Sequence, residues 1–211
     1  MDISSFRREY LKSGLEHDDL LASPVEQFSL WFNQAKDTDI QDPNAMILST
    51  VSKDGQPSQR AVLLKYFDKD GFVFFTNKGS QKVREIEGNP KVNLHFAWLE
   101  LERQISIAGV ATPISITESA RYFMSRPRNS QIAAWVSNQS SAISSRNLLM
   151  QKFKEMKQKF SNGDVPLPSF WGGYRVSPSS IEFWQGRENR LHDRFLYTAA
   201  ESGWQIERLA P

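Results

Sequence analysis

The period of the apolar positions changes several times along the chain, and each change marks an element. Ser23-Pro24 followed by Glu26 reads as a capped helix start: the serine accepts from free N–H groups, proline suits the first turn, and Glu26 completes a capping box. Phe28, Trp31, Phe32 and Ala35 then recur at helical spacing, which predicts a helix ahead of the Asp42-Pro43 connection. Beyond it the pattern becomes that of strands. Residues 45–51 are an apolar run closed by the Asp54-Gly55 turn, residues 58–66 form a second strand, and residues 72–76 follow Asp70-Gly71 as a third. A short helix is predicted over 79–88, stopped at Asn89-Pro90, with two more strands over 92–98 and 103–111. Ser115 and Glu118 form another capping box, opening a helix that ends at Ser125, before Pro127. Residues 144–160 carry Leu149, Phe153, Met156 and Phe160 on one helical face. Four short strands close the chain, over 174–176, 181–184, 194–198 and 204–209.

Strands outnumber helices and mostly follow one another without a crossover helix. The expected class is therefore mainly β with flanking helices, an antiparallel barrel or sandwich and not a doubly wound sheet. Residues 1–22 are polar and, read alone, look like a mobile arm ahead of a single domain over 23–211. A chain of 211 residues supports one ordinary core, and 14 Phe with 6 Trp make that core rich in rings.

Composition then removes function classes. The absence of cysteine excludes disulfides, thiolate metal sites and cysteine nucleophiles, and fits a cytoplasmic protein. His17, His95 and His192 lie far apart, so no metal site is expected. No run approaches the roughly 20 apolar residues of a membrane span, and the first residues lack the apolar segment of a secretory signal. A net charge of +2 does not imply a nucleic-acid partner. Walker loops, GxGxxG, GxSxG and HExxH are all missing.

The chemistry lies in local clusters of cations and rings. The densest is residues 181–194, where Trp184, Arg187, Arg190, His192 and Arg194 fall within eleven positions; such a set is poor core material and suits a flat anionic ligand. Arg60 and Lys65 bracket an apolar centre at opposite ends of one predicted strand, where alternation turns them to opposite faces unless a bulge intervenes. Gly79-Ser80-Gln81-Lys82 opens a helix as a phosphate seat does. Tyr122 and Arg126 share a helical face, and Pro127 leaves Arg126, Arg128 and Ser130 at a helix-to-loop corner suited to a second phosphate. The polar run of residues 137–141 adds amide and hydroxyl groups. Each cluster also reads as plain solvated surface.

The blocks QRAVLLKYFD, SRPRNSQIAAWVSNQSS, VPLPSFWGGYRVSP and IEFWQGRENRLHDRFLY, in this order, make the choice. In them the chain resembles the bacterial pyridoxine (pyridoxamine) 5′-phosphate oxidases over nearly its whole length. The resemblance implies a split β-barrel and a homodimer that binds FMN at the subunit interface. It implies oxidation of pyridoxine 5′-phosphate or pyridoxamine 5′-phosphate to pyridoxal 5′-phosphate, with O2 as acceptor and hydrogen peroxide as product. By position, Arg60, Ala61, Val62, Leu63, Leu64, Lys65, Phe75, Thr76, Gln81, Lys82, Gln104, Gln139, Ser140, Trp184 and Arg194 would line the flavin. Lys65, Tyr122, Arg126 and Ser130 would hold the substrate phosphate, while Arg190, Leu191 and His192 would face the substrate ring, with Arg190 and His192 as the catalytic pair. Arg7, Arg8, Glu9 and Tyr10 would close over the substrate as an arm. A flavin reductase, a flavin carrier without turnover, and a single-strand nucleic-acid binder on the same barrel remain open alternatives at this point.

Two positions depart from the pattern: Gln81 stands where arginine is common, and Phe75 where tyrosine is common. A neutral amide donates a hydrogen bond but carries no charge. Gln81→Arg is therefore expected to lower the FMN dissociation constant in a fluorescence titration, and an unchanged constant would remove the charge argument.

Overall fold

The computed structural model describes every residue except Asp2, Ser4, residues 6–8, Ser13 and Asn138. Arg7 and Arg8, assigned to the arm by resemblance, lie outside the described residues. Helix α1 (Pro24–Lys36) starts where its cap predicts, with Ser23 Oγ accepting from the Glu26 N–H. The sheet runs in the order β2-β1-β5-β6-β7-β4-β3, with β8 on β7 and β9 on β8, and the pairings are antiparallel. Its strands are β1 (Ala45–Val51), β2 (Pro57–Leu63), β3 (Tyr66–Asp68), β4 (Gly71–Asn77), β5 (Lys91–Trp98), β6 (Arg103–Pro113), β7 (Trp171–Gln185), β8 (Asp193–Ala200) and β9 (Gly203–Arg208). The remaining helices are α2 (Gln81–Gly88), α3 (Ile116–Ser125), α4 (Arg128–Val136) and α5 (Arg146–Lys159). The sheet curls as a split β-barrel, and α1 packs against it. Phe28 of that helix is fully buried and meets rings from three strands, Phe67, Phe72 and Phe96. A second apolar cluster, with Phe123, Ile132, Phe160, Val165 and Trp171, joins α3 and α4 to the start of β7.

Four expectations are corrected. The strand expected over 58–66 is two. The Leu64 N–H goes to the Asn44 carbonyl (2.8 Å) and the Lys65 N–H to the Val73 carbonyl (2.9 Å), so the chain changes partner from β1 to β4 at this point. Simple alternation between Arg60 and Lys65 therefore does not apply. The strands expected over 174–176 and 181–184 are one strand, β7. Pro178, which lacks a donor, is accommodated where the β6–β7 register shifts at Ala108/Gly109. Gly109 permits the close approach there, because a Cβ would lie 2.3 Å from the Ser177 carbonyl oxygen. Helix α4 was not expected: Pro127 stops α3 and then starts α4, its carbonyl accepting from Ser130 and Gln131.

The N-terminal segment, finally, is held at Lys12, Leu15 and Leu21. Leu15 is buried, the Lys12 N–H donates to Glu102, the Leu21 N–H to Gln27, and the Tyr197 hydroxyl to the Leu21 carbonyl. A single buried leucine in a polar stretch gives no periodicity to read. Among the described residues no helix is long and apolar enough to cross a membrane.

Truncating this fully buried ring leaves a cavity with little room to relax. Phe28→Ala is expected to cost about 3–5 kcal/mol, measurable as a lower denaturation midpoint with an unchanged slope.

Candidate active site

Three groups of side chains stand out, and β4 joins the first two. At the C-terminal end of α3, Tyr122 stacks on Phe75 of β4 (4.0 Å between centroids), and Phe75 stacks on Trp171 at the start of β7 (5.0 Å). The Arg126 guanidinium lies 5.0 Å from the Trp171 ring centroid, a cation–π seat. One of its terminal nitrogens is buried with no hydrogen-bond partner among the described residues. Burial pushes the Arg126 pKa down. Lys65, at the partner switch after β2, is also held below its ordinary value, by burial and then by the Arg126 charge, with Asp42 opposing. Two cations that repel each other beside an orphaned donor make an anion seat. Ser130 stands in the first turn of α4, immediately beyond this corner. Arg128 is not part of it: its guanidinium donates to the Gly163 and Phe160 carbonyls and ties α4 to the end of α5.

The second group lies at the start of α2. Lys82 is buried, and its ammonium donates to Thr76 Oγ1 (3.2 Å), Ser80 Oγ (3.4 Å) and Gln139 Oε1 (3.1 Å). Burial, and then the nearby Arg60 charge, bring Lys82 down to about 8, against the pull of Glu85. Ser80 makes no capping bond with its side chain, and the Gln81 N–H donates to Ser140 Oγ. Arg60 is held by Glu85 (3.0 Å). Burial opposes ionisation of that carboxyl, but bonds from Thr50, Ser58, Gln81 and Arg60 hold it at about 2. The Gln81 side chain thus serves Glu85 (2.8 Å). Beside this group runs β2, the outermost strand on its side of the sheet, with Ala61 and Leu63 exposed, Val62 packed toward the core and Leu64 buried. A buried lysine surrounded by hydroxyls, an amide and a helix start has the donor chemistry of a phosphate-ester site.

The third group is at the far end of β7. Gln104, Trp184 and Arg194 stand opposite one another in register across β6, β7 and β8. Arg194 is fixed by Glu182 (2.7 Å) and the Ala210 carbonyl (2.9 Å). His192 packs on Trp184 (4.6 Å), and Tyr10 sits edge-on to both, at 5.3 Å from His192 and 5.8 Å from Trp184. The Arg187 N–H donates to His192 Nδ1 (3.1 Å), which leaves the proton of the neutral ring on Nε2. Burial, and then the Arg190 charge, hold the His192 pKa below its usual value, with Asp193 opposing. Arg190 and Leu191 are exposed at the tip of the turn, and Glu9 is exposed beside Tyr10 in sequence. Among the described residues no group of His, Asp or Glu side chains is arranged to hold a metal ion.

Sequence reading missed Trp171, Glu85 and Asp193. Trp171 adjoins the Gly172-Gly173 break, and Glu85 looks like any charge on a short helix. Arg187, a member of the dense cation-and-ring cluster in the sequence, pairs with Asp193 (3.5 Å).

A family model described as pyridoxamine 5′-phosphate oxidase matches residues 32–160, and one described as the pyridoxine 5′-phosphate oxidase C-terminal dimerisation region matches residues 171–211. Curated proteins of Shewanella sp. strain MR-4 and Shewanella oneidensis, both named pyridoxine/pyridoxamine 5′-phosphate oxidase, are 60% identical over 210 residues, covering 100% of this chain and 99% of theirs. The crystal structure of PhzG from Burkholderia lata 383, in complex with tetrahydrophenazine-1-carboxylic acid, has a TM-score of 0.90 at 27% identity and covers 97% of this chain and 100% of that one. A pyridoxamine 5′-phosphate oxidase-related, FMN binding protein of Nostoc punctiforme shares the fold, with a TM-score of 0.72 at 16% identity over 90% of this chain and 98% of its own. By these matches, which span both ends of the barrel, the chain belongs to the pyridoxamine 5′-phosphate oxidase family.

Proposed function

We propose that the protein is an FMN-dependent oxidase that converts pyridoxine 5′-phosphate or pyridoxamine 5′-phosphate to pyridoxal 5′-phosphate. It acts as a cytoplasmic homodimer, uses O2 as acceptor, forms hydrogen peroxide and releases ammonia from the amine substrate. The observation that carries this reading is the pair of separate cation seats, Arg126 with Lys65 and Lys82 with Thr76, which suit two phosphorylated ligands. A flavin reductase does not need the first seat, and the orphaned donor of Arg126 favours a phosphorylated substrate over that alternative.

FMN supplies hydride acceptance when bound, and the protein supplies position and charge. Lys82, Thr76, Gln139 and Ser140 would hold its phosphate, with Arg60 and the backbone of residues 61–64 nearby, and Gln104, Trp184 and Arg194 would border its ring. Lys65, Tyr122, Arg126 and Ser130 grip the substrate phosphate. That grip is remote from the reacting carbon, so its binding energy is spent on placing the substrate. Arg190 covers the substrate ring, and neutral His192 donates from Nε2 to its polar edge. Tyr10, packed on His192 and Trp184, closes the same wall.

The two halves of this site lie at opposite ends of β7. A strand advances about 3.3 Å per residue, so Trp171 and Trp184 are separated by roughly 40 Å of contour. That span favours a site in which one protomer grips the phosphate and its partner supplies the ring-facing wall. The dimerisation region matched over residues 171–211 contains Trp184, Arg190, His192 and Arg194 of this second half.

The purified protein is expected to show a flavin absorbance spectrum and to form pyridoxal phosphate from either substrate under air; a colourless protein, or one that only oxidises a nicotinamide, would reject the reading. Arg126→Ala removes a charged hydrogen bond worth about 1.5–3 kcal/mol, so KM should rise by at least about tenfold with kcat less affected. Lys82 offers a pH test. Phosphate binding favours its charged form, so FMN affinity should be flat below about pH 8 and fall above it. Lys82→Met should bind FMN more weakly and lose that dependence, which isothermal titration across pH 7–9.5 would read.

A further inference from the structure

The turn between β7 and β8, residues 186–192, presents Arg190 and His192 from a strained backbone. Asn189 and Arg190 are consecutive non-glycine residues in the left-handed region, at φ 54° and 61°. Such a conformation is strained and persists only where its surroundings over-determine it. The tip does not supply that restraint, because Glu188, Asn189, Arg190 and Leu191 are exposed. The restraint is at the base, on Asp193, which is only 5% exposed.

Three separate parts of the chain converge on this carboxylate. Its Oδ2 accepts from the Leu15 N–H (3.0 Å) and faces Arg187 Nε (3.5 Å), while its Oδ1 accepts from Arg208 of β9 (2.9 Å). Gly14 leaves room for the arrangement, since a Cβ there would lie 2.0 Å from an Arg187 terminal nitrogen. Arg187 in turn gives its N–H to His192 Nδ1, and the Gly186 N–H donates to the Glu102 carbonyl (2.7 Å). Leu15 anchors the segment that carries Tyr10, whose ring lies against His192 and Trp184. The N-terminal segment and the strained turn thus share one buried anchor.

We propose that Asp193 is a positioning residue for the oxidation: it ties the N-terminal segment, Arg187 and β9 together so that Tyr10, Arg190 and His192 form one wall. It acts through Arg187 and Leu15 and not by touching substrate. An anion is needed because two guanidinium groups approach it from different elements; an asparagine would turn an amide N–H toward one of them. The proposal rests on the reading of Arg190 and His192 as substrate-facing.

The test uses the FMN-loaded full-length enzyme carrying Asp193→Asn, Arg187→Ala, or both, with Arg190→Ala as the control. Turnover of pyridoxamine 5′-phosphate, melting temperature, flavin absorbance and tryptic cleavage at Lys12 are measured. Asp193→Asn is expected to lower kcat/KM by about tenfold or more with flavin content retained, and to speed cleavage. Arg187→Ala should show a similar loss, and the double variant should be little worse than either single one, since both cut the same link. Wild-type kcat/KM with faster cleavage would make Asp193 a structural pin and overturn the proposal, as would fully additive losses. Wild-type activity in Arg190→Ala would overturn the substrate-facing reading and this proposal together. Wild-type activity in Asp193→Asn beside an impaired Arg190→Ala would overturn this proposal alone. If Asp193→Asn fails to fold, Arg187→Ala and Arg208→Ala, both at partly exposed positions, decide the same question by whether kcat/KM falls or stays.

Discussion

A guanidinium drawn partly out of water without an acceptor for one of its N–H groups is unfavourable by roughly 1–3 kcal/mol, and the helical layer of this protein is arranged to keep Arg126 in that state. Trp171 supplies a ring face beneath it. Phe75 and Tyr122 extend that face into a stack of nearly parallel rings. Pro127 turns the chain immediately afterwards, so that α4 begins with Ser130 beside the same corner. Lys65, brought there by the change of strand partner after β2, adds a second charge where repulsion already exists. Among the described residues neither of these cations has a carboxylate at ion-pair distance, whereas Arg60, Arg175 and Arg194 each receive one.

The second constraint is the length of β7. Its fifteen residues carry the phosphate corner at one end and the ring-facing wall at the other. On the proposed reading a single protomer holds two half-sites that face different ligand regions, and the two-fold symmetry of a homodimer would bring one of each together. The Asp193 anchor belongs to the second half alone. It gathers the N-terminal segment and the strained turn on the protomer that would present Arg190 and His192.

The parts of this picture that were legible in the sequence are those with local signals. Capping residues gave the starts of α1 and α3, turn dipeptides gave the first hairpins, and cations clustered with rings or at a helix start marked the three groups of the candidate site. Contacts between distant segments were not legible. Trp171 looks like a residue beside a glycine break, and only the fold shows that Arg126 lies on it. The division of residues 58–66 into two strands depends on Asn44 and Val73 taking the backbone N–H groups of Leu64 and Lys65, which no periodicity reveals. Arg187 looks like a solvated charge until Asp193 is found buried beside it. Roles within the site came from resemblance, which carries positions but not the interactions that hold them.

Subunit complementation tests most directly whether one protomer grips the substrate phosphate while its partner supplies the ring wall. Arg126→Ala and Arg190→Ala chains, each strongly impaired alone when assayed at substrate well below the raised KM, would be co-expressed or unfolded and refolded together. In a mixed dimer one site collects both defects and the other collects neither. Random reassortment should then restore about one quarter of wild-type activity. Activity no higher than that of the separate variants, with mixed dimers demonstrated by differential tags, would show that both residues act within one chain and contradict the shared site.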